Sequence, residues 1–82
     1  MSGYSTSLGE GLYRITIGHS GGYAGFHEIY GSYWLSSTGS KGELLPLMTA
    51  NSAIYAISYS NGNFAVSFSG EGWYTVLIEP MS

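Results

Sequence analysis

Asn61-Gly62 sits inside an alternating run from Ile54 to Ser69, and it fixes a β-hairpin. A two-residue type I′ turn needs positive φ at both central positions, which Asn-Gly supplies better than any other ordinary pair. With those residues at the turn, Tyr59 faces Phe64, Ile57 faces Val66 and Tyr55 faces Phe68. The opposite face receives Ser58 with Ala65 and Ala56 with Ser67. One face is large and apolar, the other small and polar. A slip of one residue would invert every side chain, so the pattern specifies the register.

The run that follows extends this reading to a C-terminal meander. Gly70-Glu71-Gly72 reads as a short turn that would pair Phe68 with Tyr74, Val66 with Val76 and Phe64 with Ile78. Tyr74, Val76 and Ile78 then join the apolar face, and Trp73, Thr75, Leu77 and Glu79 lie on the face of the serines. Trp73 and Leu77 are out of keeping with a solvated face. They read as a subunit interface, with a ligand site as the other reading for Trp73.

Upstream, Leu12 to Ile17 alternates as a strand, with Tyr13, Ile15 and Ile17 on one side. Gly18 to Gly22 reads as a turn or exposed loop. Tyr23 to Tyr30 has strand composition, Gly31 marks a bulge or bend, and Tyr33-Trp34-Leu35 resumes the strand. Tyr33 and Trp34 are neighbours and point to opposite faces, so at least one of them belongs to the core. Ser36 to Gly42 is a loop by composition. Leu44 to Ala50 is apolar but carries Pro46, which restricts it to an edge strand or an irregular crossing. Residues 1–10, rich in Gly, Ser and Thr, read as a linker or flexible lead from a longer chain, followed by a single β domain over 11–82. The expected architecture is all-β, a small antiparallel sandwich of about six strands.

An 82-residue domain without cysteine must hold together without a disulfide. Its charged residues amount to 9%, against about 25% in typical domains. A small β protein with so few charges has exposed edges and poor solubility to manage, and burial of surface in an oligomer is the economical answer. Neither a secretory leader nor an apolar run of membrane-spanning length is visible, so no membrane insertion is expected.

Reactive chemistry is scarce. Aspartate and cysteine are absent, and the five glutamates have no suggestive spacing, so no catalytic residues are expected and the chain reads as a non-enzyme. His19 and His27 are too few for a zinc site within one chain, so no metal or other cofactor is expected. The glycines of residues 18–25 lack the Lys-Ser/Thr ending and following helix of a phosphate loop. A net charge of −3 without a basic patch disfavours nucleic acid. What remains is aromatic: Tyr30, Tyr33, Trp34 and Trp73 are candidates for exposure. Rings with polar neighbours suit sugar sites and protein interfaces alike.

Three stretches carry a resemblance to a family. Gly11-Leu12-Tyr13-Arg14-Ile15-Thr16, the Gly- and aromatic-rich middle, and the closing Gly70-Glu71-Gly72-Trp73-Tyr74-Thr75-Val76-Leu77-Ile78 resemble the C-terminal tip domains of bacteriophage tail fibres and tailspikes. Leu12 stands where that family often has tryptophan. The resemblance covers most of residues 11–80 through short motifs. It implies a β-sandwich homotrimer in the virion, made in the host cytoplasm, that binds a host surface glycan or protein. Under that reading the ligand-binding candidates are His19, Tyr23, Trp34, Lys41 and Glu71, with Trp73 and Leu77 at a subunit contact. A structural trimerisation or capping module and a small monomeric lectin-like domain are the alternatives.

Overall fold

The Asn61-Gly62 hairpin forms in the register its side chains demand. The computed structural model describes residues 2–23, 25–38 and 41–81, without the side chains of Ser2 and Tyr23. Its strands are β1 (Ser2–Ser7), β2 (Gly11–Tyr23), β3 (Phe26–Ser37), β4 (Gly42–Thr49), β5 (Tyr55–Ser60), β6 (Asn63–Phe68) and β7 (Tyr74–Pro80). β5 and β6 pair through Tyr59↔Phe64, Ile57↔Val66 and Tyr55↔Phe68, as the alternation requires. Asn61 has φ 50° and Gly62 has φ 76°, the positive values of the type I′ turn.

Two antiparallel sheets pack face to face. One has the order β1-β6-β5, the other β4-β3-β2-β7. Ile15, Ile17, Tyr30, Tyr33 and Leu35 line the inner side of the larger sheet. Tyr55, Phe64, Val66 and Phe68 line the smaller one, and all nine are buried. Tyrosines also tie the layers together by hydrogen bonds. The Tyr55 hydroxyl meets that of Tyr33, and the Tyr59 hydroxyl meets Ser37 Oγ. Tyr33 is thus the core member of the Tyr33-Trp34 pair.

Three expectations change. The C-terminal meander does not form, because β7 pairs with β2, through Ile15↔Ile78, Thr16↔Leu77 and Ile17↔Val76. The free edge of β6 is taken by β1 instead, through Tyr4↔Val66 and Thr6↔Phe64. Alternation selects which side chains of β7 face the core, and both sheets line the same core, so either one satisfies it. The Phe68–Tyr74 contact survives in another form: the two rings stack across the layers, 4.1 Å apart and 3° from parallel. Second, the expected lead over residues 1–10 contains β1, whose alternation of small and larger residues lets it close the sheet. Third, Gly18 to Gly22 continues β2 through register shifts after Ile17, His19 and Ser20, so His19 is a strand residue between β3 and β7.

Gly31 marks a bulge as expected: Ile17 pairs with Gly31 while Gly18 pairs with Ile29, leaving Tyr30 as the extra residue. Pro46 lies on β4, an edge strand, with a second bulge between Ser32 and Tyr33. β4 and β5 touch along one side of the sandwich. The other side, between edge strands β1 and β7, stays open.

The outer faces differ sharply in chemistry. On the smaller sheet the outer rows are Gly3–Ser67–Ala56, Ser5–Ala65–Ser58 and Ser7–Asn63–Ser60, all small or polar. On the larger sheet they are Leu45–Trp34–Arg14–Glu79 and Met48–Ser32–Thr16–Leu77, with Leu12 alongside.

Candidate functional site

The β1/β7 seam opens into a cleft of about 710 Å³ lined by Gly3, Tyr4, Phe68, Gly72, Trp73, Tyr74, Thr75 and Val76. That volume is in the range of small-molecule sites, and half of its lining residues are aromatic. Tyr4 lies on β1 opposite Val66, so its ring leans over the core side of an edge strand. Phe68, buried, and Tyr74, half-buried, form the stacked pair beneath. Trp73 stands at the rim with 81% of its surface exposed, and Tyr4 has 49%.

The exposure of Trp73 is unusual because its backbone is held. The Trp73 carbonyl accepts the Ser20 amide at 2.8 Å. The Tyr74 hydroxyl donates to the carbonyls of Gly70, at 3.5 Å, and Glu71, at 3.4 Å, which draws the β6–β7 loop against the ring. Thr75 Oγ1 donates to the Gly25 carbonyl at 3.0 Å, and Ser20 Oγ donates to Thr75 Oγ1 at 2.6 Å. A large apolar ring is therefore presented to solvent from a fixed stalk, with the Glu71 carboxyl on the adjoining loop.

Trp73, expected at a subunit contact, forms the rim of this cleft. Glu71 is exposed on the adjoining loop, next to the cleft residue Gly72. The other proposed ligand residues do not converge there. His19 lies behind Tyr74, with ring centres 6.2 Å apart, and its Nδ1 is buried with no hydrogen-bond partner among the described residues. His27 is its other ring neighbour, at 5.8 Å. Trp34 is half-buried on the outer face of the larger sheet, and Leu77 shares that face. Lys41 is exposed in the β3–β4 turn, at the far end of the fold. The Tyr23 side chain lies outside the described residues.

Among the lining residues sequence reasoning singled out Trp73 alone, and left the aromatic side chains of Tyr4, Phe68 and Tyr74 unassigned to a site. Gly3, Ser5 and Ser7 alternate with Tyr4, Thr6 and Leu8 in the same small-large rhythm as the hairpin, and that rhythm is the signal for β1. Among the described residues no three His, Cys, Asp or Glu side chains gather to hold a metal. The buried tyrosines have raised pKa values: Tyr55 through burial and its bond to Tyr33, Tyr30 through burial and the nearby Glu28. Both face the core, and Tyr30 lies behind the cleft residue Tyr74, with ring centres 6.3 Å apart.

Comparison with protein families, curated proteins and solved structures finds no match for this chain.

Proposed function

We propose that the chain is a non-enzymatic attachment module of the phage tail-fibre or tailspike-tip kind, which binds a host cell-surface carbohydrate in the β1/β7 cleft. The observation that carries this reading is the exposed Trp73 ring on a fixed backbone, facing Tyr4 across an open aromatic cleft. A pyranose presents a face of C–H groups that stacks on an aromatic ring, and its hydroxyls need polar partners at the edge. Trp73 and Tyr4 offer the faces; the Tyr4 hydroxyl, the Glu71 carboxylate and the unpaired backbone of the edge strands offer the partners. An open cleft suits one or two sugar units bound weakly at each site. Several copies in one particle, a homotrimer in the family that the chain resembles, would multiply that into useful avidity.

A glycan-array screen followed by calorimetric titration of the best sugar tests the reading. Trp73→Ala is expected to weaken binding by about 30-fold or more, the value of a typical aromatic hot spot of ~2 kcal/mol, with unchanged folding. Tyr4→Ala should weaken it as well, and Lys41→Ala should not. Absence of any bound glycan, or full binding by Trp73→Ala, would reject the cleft as a sugar site. The structural reading, assembly rather than attachment, is favoured by a different surface, the outer face of the larger sheet.

A further inference from the structure

We infer that His19 and His27 together bind a divalent transition-metal ion, copper, zinc or nickel, at the far end of the β2–β3 hairpin. The protein supplies two imidazoles and water completes the coordination shell. The site is independent of the cleft's own ligand.

The chain has only two histidines, and the fold brings them together. Plain alternation would keep them apart. His19 pairs with Glu28, so His27, the neighbour of Glu28, would point to the other face. A bulge changes this. His19 pairs with Glu28 while Ser20 pairs with Phe26, which leaves His27 as the extra residue of β3. Bulges re-aim side chains and recur beside functional sites. The two rings lie 5.8 Å apart, centre to centre, with their planes at 68°. An imidazole nitrogen sits about 2.0–2.1 Å from zinc, which puts the ring centre roughly 3.2 Å from the ion. Two rings on one ion are then separated by about 5.2 Å at a tetrahedral angle and by about 6.4 Å when directly opposed. The observed spacing falls inside that window.

A second observation points to a ligand. His19 Nδ1 is buried and has no hydrogen-bond partner among the described residues. Buried polar atoms are normally satisfied, and a ring nitrogen engaged by neither donor nor acceptor is available as a ligand atom. His27 is exposed, so an ion can reach the pair and this ring can turn to meet it. Glu28, also exposed, is the direct cross-strand neighbour of His19 and sets a carboxylate beside the site, which favours a cation. Imidazole donors suit copper, nickel and zinc, whereas magnesium and calcium prefer oxygen. Two protein ligands are too few for a closed structural site, so the ion exchanges with solution. Its place in the fold gives it a consequence. His19 packs against Tyr74, and the next residue, Ser20, holds the Trp73 carbonyl. An ion that ties β2 to β3 here stiffens the stretch of β2 from which the cleft rim is hung.

Calorimetric titration of the full chain, free of any polyhistidine tag, with copper, zinc and nickel chlorides in a non-coordinating buffer tests the site. The expected result is one ion per chain, copper the tightest, no uptake of magnesium or calcium, and weaker binding in acid as protons compete for the imidazoles. Zinc should also raise the melting temperature. His27→Gln removes an exposed ring and should weaken zinc binding at least about tenfold, the loss that even an outer-shell change brings, with the circular dichroism unchanged. His19→Gln should weaken it likewise, and if that half-buried change disturbs the fold, His27→Gln decides alone. No heat and no thermal shift at millimolar zinc, a stoichiometry other than one ion per chain, or zinc binding retained by folded His27→Gln would overturn the proposal.

Discussion

A methyl group at position 31 would land on the Tyr55 hydroxyl. The bulge at Gly31 is therefore the socket that lets a tyrosine from one sheet reach a tyrosine of the other. Its backbone is not in the left-handed region, so the demand for glycine is purely one of space. Gly31→Ala should cost about 1–3 kcal/mol, the usual range for overpacking, and lower the melting temperature by at least about 4 °C. Combined with Tyr55→Phe, which removes the colliding oxygen, the loss should be less than additive; strict additivity in thermal melts would show that the two positions do not meet. The same pair sets an alkaline limit. Burial, then the bond to Tyr33, raises the Tyr55 pKa above its ordinary value near 10, and Tyr30 is raised as well. A folded-state pKa above the unfolded one gives stability that is complete below about pH 10 and lost as pH climbs beyond it. The urea midpoint should thus be flat through neutrality and fall above about pH 10. Tyr55→Phe should flatten that fall, and an equal slope in the two proteins would remove Tyr55 as its cause.

Strands show how far local pattern reaches. The β5–β6 hairpin was legible to the residue because turn chemistry and alternation are both contained in its own sixteen positions. β7 was legible as a strand with its core face identified, but not in its partner: alternation encodes a side of the sheet, and two sheets share one core. β1 was hidden by composition, since Ser and Gly at every second position suit a flat outer face as well as they suit a linker. Its six cross-strand pairs with β6 predict that it is structural. Removing residues 1–7 should bare the edge of β6 and one wall over Phe68, giving a chain that melts far lower or aggregates at micromolar concentration. A truncated chain whose denaturant midpoint matches the parent would reduce β1 to an appendage.

At the scale of the molecule, the cleft exists because two edge strands from different sheets run side by side without joining. No local pattern encodes such a meeting, which is why Trp73 stood out as an ill-fitting residue while its companion Tyr4 went unassigned. The five residues chosen for loop or wet-face positions scatter over the fold, since side-chain type says nothing about which loops share an end. The sandwich is closed where β4 meets β5 and open where β1 faces β7, so the cleft and the apolar outer face of the larger sheet are separate surfaces. The only two tryptophans are divided between those surfaces, Trp73 on the cleft rim and Trp34 on the sheet face. The chain thus carries two optical labels of its own. A sugar entering the cleft would alter the emission of Trp73 and leave that of Trp34 as an internal reference, and exchanging Trp34 for phenylalanine would leave a fluorescence signal that answers to the cleft alone.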